Sequence, residues 1–183
     1  MKVISGSLKG RKIIGYDIEG TRPTMDRVKE SLFGSIQNYV KDSVVLDLFA
    51  GSGNLGIEAI SNGSKYSYFV DNNYECIKCI NNNIKTFDIM DKCNVNYMDY
   101  NKALKYFRDN SIKFDIIFVD PPYRYNTMNK IVNRILEYDL LNDNGILVLE
   151  YQIDNLKIDD KLKSIKFKKF NDKFINILKK TID

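Results

Sequence analysis

The sequence contains no histidine, and only three of its 183 residues are cysteine. The absence of histidine excludes the usual catalytic triads and most transition-metal sites. A zinc site would need about four ligands, more than the cysteines can supply. We therefore predict no metal centre and interpret Cys76 and Cys79 as small, mostly apolar residues on a helix. Any acid–base chemistry must use carboxylates, tyrosine, lysine or the backbone.

Long apolar runs are also missing. No run approaches the ~20 residues that span a bilayer, and the N-terminus lacks the apolar core of a signal peptide. Three cysteines cannot all pair with one another, which fits a reducing compartment. We therefore expect a cytoplasmic protein without a membrane partner. The formal net charge of +4 permits a polyanionic partner but does not require one.

Strand-like and helix-like patterns alternate from residue 43 onward. The predicted strands are residues 44–49, 66–70, 95–97, 114–119 and 145–150. The predicted helices between them are residues 55–61, 74–86, 102–108 and 128–137. Strands joined by helices of this length pair in parallel through right-handed crossovers. Residues 164–170 and 173–179 flank a short polar turn and predict an antiparallel hairpin at the edge of this α/β sheet.

Residues 1–40 follow a different pattern. Residues 1–20 alternate basic and apolar positions, punctuated by glycines, and predict a short β-hairpin or ribbon. Thr24 is the predicted N-cap of a helix that continues to Val40. Four basic residues line the exposed side of the ribbon: Lys2, Lys9, Arg11 and Lys12. They either form a solvated, aggregation-resistant edge or contact nucleic acid, and the sequence leaves both interpretations open.

A buried strand that ends at an acid and two prolines is the most rigid feature of the sequence. The strand is the apolar run FDIIFV (114–119), and it is followed by Asp120, Pro121, Pro122 and Tyr123. Neither proline can donate a backbone hydrogen bond, and each holds the residue before it away from helical angles. An acid, two carbonyl groups and an aromatic ring are therefore fixed at the carboxyl end of a strand, where open α/β sheets bind ligands.

A glycine-rich loop follows the first predicted strand. Residues 51–56 read G-x-G-x-x-G, and Asp71 ends the next strand. Such a loop lets the backbone approach a ligand closely, and an acid about 20 residues further on accepts hydrogen bonds from ribose hydroxyls. This pattern suits a dinucleotide or S-adenosylmethionine. Asp47, before the loop, favours the second, because a carboxylate attracts its cationic methionine part and repels a pyrophosphate. Asp99 either accepts from an adenine amino group or caps a helix.

Several of these blocks together resemble a known group of enzymes. The run DLFAGSG (47–53), the acid Asp71 and the run DPPY (120–123) are similar to the class I S-adenosylmethionine-dependent amino-methyltransferases. The last run looks like their catalytic motif, which has the form D/N-P-P-Y/F.

The N-terminal runs narrow the resemblance to one family. SG (5–6), GRK (10–12) and RPTMDRVKESLF (22–33) resemble the RsmD family, which methylates the exocyclic N2 of one guanine in bacterial 16S ribosomal RNA. The sequence departs from the family at Asp71, where glutamate is commoner, and at Asn54, where a small residue is usual. The tail from residue 151 onward matches only loosely.

The resemblance implies a Rossmann-like methyltransferase fold with a seven-stranded, mostly parallel sheet, an antiparallel edge hairpin, and a small N-terminal β-hairpin and helix. It divides the chain into an extension, residues 1–40, that contacts RNA and covers the cofactor, and a methyltransferase domain, residues 41–183. It implies S-adenosylmethionine as the cofactor. The implied partner is 16S rRNA within an assembled or assembling small ribosomal subunit, and the protein is expected to be a monomer.

The same resemblance assigns the site residues. The implied catalytic residues are Asp120, Pro121, Pro122 and Tyr123. The implied cofactor contacts are Asp47, Phe49, Gly51, Ser52, Gly53, Asp71, Asn72, Asp99, Arg22 and Thr24. The implied RNA contacts are Lys2, Lys9, Arg11 and Lys12. For the lysines of the C-terminal hairpin, namely Lys163, Lys166, Lys168 and Lys169, a solvated surface is the preferred interpretation over phosphate contact.

Other functions stay open at this point. An adenine-N6 nucleic-acid methyltransferase or a protein-glutamine methyltransferase would use a similar Pro-Pro-aromatic motif, and the run RPT (22–24) is the feature that favours the ribosomal guanine. A nicotinamide-dependent oxidoreductase would use the same glycine motif, but Asp47 and the two prolines count against it. A catalytically dead RNA-binding protein is disfavoured by an intact Asp120.

Overall fold

The computed structural model describes residues 1–15, 22–122, 127–152, 156–170 and 173–181, and for residues 22–25 it describes the backbone alone. Tyr123 and the side chains of Arg22 and Thr24 therefore lie outside the described residues. In the described ranges, no helix is long and apolar enough to cross a membrane. The same ranges hold no group of Cys, Asp and Glu side chains that could bind a metal ion.

Strands and helices alternate along the chain in the predicted order. The strands are β1 (Val44–Asp47), β2 (Tyr66–Asp71), β3 (Cys93–Tyr97), β4 (Phe114–Val119), β5 (Leu141–Tyr151), β6 (Leu162–Phe170) and β7 (Lys173–Lys180). The helices are α1 (Arg22–Val40), α2 (Asn54–Ser61), α3 (Tyr74–Phe87), α4 (Tyr100–Asp109) and α5 (Met128–Glu137), and a short 3₁₀ turn, Met90–Lys92, precedes β3.

One sheet contains all seven strands, in the order β3-β2-β1-β4-β5-β7-β6. The neighbours from β3 to β5 pair in parallel. Strand β7 runs antiparallel to both β5 and β6. The predicted mostly parallel sheet with an antiparallel edge hairpin is therefore confirmed. Strands β1 and β4 lie inside the sheet and are covered on both faces, which explains why they read as continuous apolar runs.

Successive strand residues point to opposite faces of the sheet, so the buried strands place apolar side chains on both faces, and helices cover both. On one face α1 packs on Phe118, and the ring centroids of Phe33 and Phe118 are 5.9 Å apart. On the other face α4 and α5 bury Phe107 and Ile131 against Ile117 and its neighbours. Each large apolar side chain buried in this way contributes about 1.5–3 kcal/mol.

Several predicted element boundaries are corrected by the structure. Strand β1 ends at Asp47, two residues before its predicted end, because the chain then turns into the glycine-rich loop. Strand β3 begins at Cys93, two residues before its predicted start, and β5 begins at Leu141, four residues before its predicted start. The prediction of Thr24 as an N-cap is wrong, since α1 begins at Arg22. Its proline lies in the first turn, where a missing N–H breaks no helical hydrogen bond.

The N-terminal ribbon, residues 1–15, is a narrow hairpin held by one bridge between Lys2 and Lys12. Its inward-facing Val3 and Ile13 are buried against α2 and α3. Gly6 lies so close to α2 that a Cβ there would stand 1.8 Å from the carbonyl oxygen of Ser61. The predicted ribbon is confirmed for these residues. The division of the chain at residue 40 stays a prediction.

A buried ion pair joins the ribbon, α1 and α2. The Nζ of Lys29 lies 2.8 Å from a carboxylate oxygen of Glu58, and their side chains are 2% and 0% exposed. Lys29 also donates to the carbonyl of Lys2 and to the side-chain oxygen of Asn54, both at 2.7 Å. Glu58 accepts from the backbone N–H groups of Ile4 and Ser5. The pair is therefore fully hydrogen-bonded, the condition under which buried charges are tolerated.

We predict that Lys29→Met lowers the free energy of unfolding by about 3–5 kcal/mol, because it leaves Glu58 charged and buried without a counter-ion. The double variant Lys29→Met/Glu58→Gln should recover part of this loss. Urea denaturation followed by circular dichroism measures both. As a control, Lys78→Met removes an exposed partner of Glu75 and should cost less than about 1 kcal/mol. Equal effects at Lys29 and Lys78 would contradict the assigned role of the buried pair.

Candidate functional site

Three aspartates lie where neighbouring parallel strands end. Asp47 is the last residue of β1, Asp71 is the last residue of β2, and Asp120 follows directly after β4. Strand β1 lies between the other two, and Asp47 is in register with Phe69 of β2 and Phe118 of β4. The chain reverses its strand order at this point, which is the position where open α/β sheets bind ligands.

The glycine-rich loop turns the chain from β1 into α2. Gly51 and Gly53 have positive φ angles of 55° and 79°, in the left-handed region that glycine adopts without strain. The N–H of Gly53 donates to the carbonyl of Ala50 at 2.7 Å and closes the turn. At Gly56 a Cβ would stand 2.3 Å from the ring of Phe69, so only glycine lets α2 lie this close to β2. The loop thus presents bare backbone at the start of a helix, as a close-approaching ligand requires.

Two of the aspartates hold this loop in place. A carboxylate oxygen of Asp47 accepts from the N–H of Gly56 at 3.0 Å, inside α2. The two oxygens of Asp71 accept from the N–H groups of Gly51 and Asn73, each at 2.8 Å. Each carboxylate oxygen carries two lone pairs, so both side chains keep capacity to accept from a ligand.

The remaining sequence-predicted cofactor residues surround the same loop. Asp99 caps α4 by accepting from the N–H of Asn101 at 2.8 Å, so its helix-cap interpretation is confirmed and its adenine contact stays a prediction. Phe49 packs against Tyr100 with ring centroids 5.4 Å apart. The carbonyl of Ser52 accepts from the side chain of Asn83 at 3.0 Å. Asn72 is exposed, immediately after β2.

Burial, reinforced by neighbouring carboxylates, raises the pKa values of Asp47 and Asp120. Burial raises the pKa of Asp47 to about 7. The hydrogen bond from the Gly56 N–H lowers this pKa, and the nearby charge of Asp71 raises it. Asp120 keeps part of its surface accessible, yet desolvation, followed by the charge of Glu150, raises its pKa to about 8. Lys173 opposes this shift and Asp47 adds to it. Both aspartates would be more readily ionised beside a bound cation.

The acid-and-proline corner after β4 is described as far as Pro122. Pro121 is buried, and Pro122 is exposed. Asp120 and Pro121 thus stand at the carboxyl edge of the sheet, beside the strand that carries Asp47. The fourth predicted catalytic residue, Tyr123, lies outside the described residues, and its role stays a prediction.

The ribbon places its basic residues unequally. Lys2, Lys9 and Lys12 are exposed and remain candidates for RNA contact. Arg11 is also exposed, but its guanidinium lies 4.5 Å from the ring centroid of Phe87 and donates to the carbonyl of Thr86 at 2.5 Å. Arg11 therefore anchors the ribbon to the end of α3, and its proposed phosphate contact would have to coexist with this anchor.

Three buried polar residues beside the site were missed by the sequence analysis. Asn83 exchanges hydrogen bonds with the backbone of Ile14 at 2.9 and 2.7 Å, and it also reaches the carbonyl of Ser52. Lys29 and Glu58 connect α1 to the glycine-rich loop through Asn54. A signal was present, because each of these polar residues occupies a position on the apolar face of its helix.

Comparison with known proteins decides the family. The family described as Conserved hypothetical protein 95 matches residues 1–179. The chain belongs to this family. YlbH of Bacillus subtilis, assigned as an rRNA methyltransferase, is 40% identical over 151 residues, which are 82% of this chain and 82% of that protein. Ribosomal RNA small subunit methyltransferase D of Buchnera aphidicola is 35% identical over 150 residues, 82% of this chain and 77% of that protein. The resemblance to the RsmD family is thereby confirmed.

A solved structure supports the fold of this family member. The protein yhhF of Escherichia coli, assigned as a methyltransferase, superposes with a TM-score of 0.86 at 24% identity and covers 100% of this chain and 99% of that one. At this level of identity, the similarity concerns the fold.

We predict that Asp47→Asn raises the melting temperature of the ligand-free protein at pH 8. The pKa of Asp47 is about 7 in the folded protein, well above its unfolded value, so ionisation of Asp47 destabilises the fold as pH rises from about 4 to 7. The difference between variant and wild type should therefore be small near pH 4 and full above pH 7. Each kcal/mol that the substitution adds to the free energy of unfolding raises the melting temperature by roughly 2–4 °C.

Thermal melts at several pH values test this prediction. Asp109→Asn, which removes an exposed carboxylate, serves as the control and should show no such pH-dependent gain. If Asp47→Asn melts below the wild type at pH 8, the buried charge is stabilising and the assignment is wrong.

Proposed function

We propose that this protein transfers a methyl group from S-adenosylmethionine to the exocyclic N2 of a guanine in small-subunit ribosomal RNA. The observation that carries the proposal is the position of Asp120 and Pro121 beside a glycine-rich loop and a buried carboxylate, Asp47. Relatives named small subunit methyltransferase D point to the same RNA. The run RPTMDRVKESLF (22–33) supports the guanine over an adenine.

The residues at the carboxyl edge fit the proposed cofactor. Asp47 would pair with the ammonium group of the methionine part, because it is buried, already oriented by Gly56 and short of positive partners. Asp71 would use its remaining lone pairs for ribose hydroxyls, and the second oxygen of Asp99 is available to an adenine amino group. When bound, S-adenosylmethionine supplies an electrophilic methyl group on a sulfonium.

The acid-and-proline corner would handle the amine. The exocyclic amine of guanine is a weak nucleophile, because its lone pair is delocalised into the ring. Acceptors for both N–H bonds favour a more tetrahedral nitrogen that gains positive charge, and the Asp120 carboxylate and the Pro121 carbonyl would be these acceptors. Tyr123 would stack on the base, which must leave its own stack to enter. Most of the rate enhancement would come from orientation.

The order of proton loss follows from the same chemistry. Acidity of the N–H groups rises sharply as the nitrogen gains the methyl group, so Asp120 need not remove a proton beforehand. Asp120 must be ionised to accept from the amine, although its pKa is about 8 in the ligand-free protein. A neighbouring cation favours the ionised form. The proposed cofactor and an active Asp120 therefore support each other.

We predict that the affinity for S-adenosylmethionine rises between about pH 6 and pH 8 and that binding releases protons in this range. Both raised pKa values fall when a cation binds, so protons leave the carboxylates. Calorimetry at one pH in phosphate and in Tris measures the release. Asp47→Asn should release fewer protons than the wild type. Binding without proton exchange, or a melting temperature raised by NAD and unaffected by S-adenosylmethionine, would contradict the proposal.

We predict that Asp120→Ala lowers methyl transfer by about 10²–10³-fold, the usual effect of removing one stabilising group from a transition state. Cofactor binding should remain, since Asp47 and Asp71 still hold the loop. The assay offers labelled cofactor to small ribosomal subunits, and to naked 16S rRNA, from a strain without the activity, and nucleotide mass spectrometry identifies the product. N2-methylguanosine agrees with the proposal, whereas N6-methyladenosine or undiminished transfer by Asp120→Ala refutes it.

A further inference from the structure

The C-terminal hairpin concentrates positive charge. Strands β6 and β7 contain seven lysines and no aspartate or glutamate. Lys173 pairs with Glu150 at 2.6 Å, and Lys180 lies 3.0 Å from Asp139. Lys168 donates to the hydroxyl of Ser31, and Lys179 lies near the ring of Tyr39. In the described ranges, the other three lysines, Lys163, Lys166 and Lys169, are exposed and have no carboxylate partner.

A row of stacked aromatic rings crosses the same strands. Tyr151 on β5 and Phe174 on β7 have ring centroids 5.5 Å apart and planes inclined by 28°. Phe174 and Phe167 on β6 follow at 5.7 Å and 20°. Exposure increases along the row, from 6% at Tyr151 to 50% at Phe167. The Nζ of Lys169 lies 5.3 Å from the ring centroid of Phe174, so a cation flanks the row.

This row of rings begins beside the acid-and-proline corner, residues 120–122. Tyr151 is paired with Phe174 and follows Glu150, whose charge acts on Asp120. From there the rings lead outward, across β7, to the outermost strand of the sheet.

Phe167 and Lys169 lie on the same face of β6 as the stacked rings. Lys163 and Lys166 pair with Lys179 and Ile177 and lie on the opposite face, so the ring and the three lysines meet only at the free edge of the strand. An open ring at an edge that also carries uncompensated lysines is the combination that binds single-stranded nucleic acid through stacked bases and phosphates.

We propose that Lys163, Lys166, Phe167 and Lys169, together called the β6 docking edge, bind an unpaired stretch of the RNA substrate next to the target base. Phe167 stacks on one base, and the three lysines contact phosphates. The inference rests on the proposed function, because the RNA it binds is the methyl acceptor. It reverses the preferred interpretation of these lysines as a solvated surface.

Protection against aggregation accounts for only part of this surface. Lysines on an outermost strand prevent pairing with another chain. That role gives no reason for an aromatic ring half-exposed on the same strand, where it adds apolar surface and continues the stacked row of Tyr151 and Phe174. RNA binding accounts for the lysines and the ring together.

The test measures RNA binding directly, by fluorescence anisotropy with a labelled, unstructured RNA of about ten nucleotides, within the usual site size. The variant Lys163→Gln/Lys166→Gln/Lys169→Gln should weaken binding at least about tenfold at low salt. The slope of log affinity against log salt should fall by about 2, because each lost phosphate contact removes about 0.7. Phe167→Ala should weaken binding about tenfold with the slope unchanged, and Phe167→Tyr should bind like the wild type.

A matched control removes the same charge at the opposite end of the sheet. Lys65, Lys85 and Lys92 are exposed and lie on or next to β2, α3 and β3. The variant Lys65→Gln/Lys85→Gln/Lys92→Gln should keep RNA affinity within about threefold, with little change in slope. Thermal stabilisation by S-adenosylmethionine should be equal in all variants, which shows that each of them is folded.

The outcomes separate the inference from the proposed function. In methyl transfer, the β6 triple variant should raise KM and keep kcat. If the wild type transfers methyl groups but the β6 triple variant binds RNA as the control does, the inference is overturned and the function stands. If the wild type binds RNA but methylates none, and the β6 variants lose that binding, the proposed function fails, and the β6 docking edge remains an RNA-binding surface whose RNA is not a methyl acceptor.

Discussion

The buried pair of Lys29 and Glu58 is the interaction on which the arrangement of the site depends. Either charge alone would be strongly destabilising at this depth, and burial already lowers the pKa of Lys29. The two are tolerated because the Lys29 ammonium donates to three acceptors and the Glu58 carboxylate also accepts from two backbone N–H groups. Those bonds reach the ribbon through Ile4 and Ser5 and the glycine-rich loop through Asn54. Segments far apart in the sequence are thus held in one geometry.

This connection gives the N-terminal residues a structural role in addition to any contact with RNA. Asn83 makes a second link, from Ile14 to the carbonyl of Ser52. The ribbon and the loop that would carry the cofactor are therefore joined at two points. Buried side chains make these links, and hydrogen bonds are electrostatically stronger in a low-dielectric interior than in water, so the links fix the ribbon relative to the loop.

At the carboxyl edge the structure concentrates like charges instead of pairing them. Burial raises the pKa values of Asp47 and Asp120, and the charge of Asp71 adds to the shift at Asp47 while those of Glu150 and Asp47 add to the shift at Asp120. This arrangement destabilises the ligand-free protein, and it is relieved by a cation. A sulfonium and an ammonium group on one ligand would relieve it at two places, which gives a physical reason why the site favours S-adenosylmethionine over a pyrophosphate-bearing dinucleotide.

The sequence predicted the parts of the fold that local patterns determine. The bounds of β4 and α5 were predicted correctly, because an apolar run and an amphipathic helix are each set by their own residues. The start of β5 was missed because residues 142–144 are polar and carry no strand pattern, whereas Asn142 is held by Asp115 across the sheet. Lys29, Glu58 and Asn83 stand out in the sequence only as polar residues on apolar helix faces. The sequence does not show what they bind, because their partners lie far away along the chain.

The distribution of charge over the surface suggests how a polyanion and an acidic site can work together. Phosphates would be repelled by Asp47, Asp71 and Asp120, and attracted by the exposed lysines of β6. A nucleic-acid backbone would therefore lie along β6 and stay out of the corner. A neutral base that presents N–H donors is the part of the RNA that the Asp120 carboxylate would attract, while Asp47 and Asp71 would hold the cofactor. The same electrostatics that hold the backbone away would thus favour extrusion of a single base toward Asp120, so selection of a base over a phosphate would be complete before any chemistry begins.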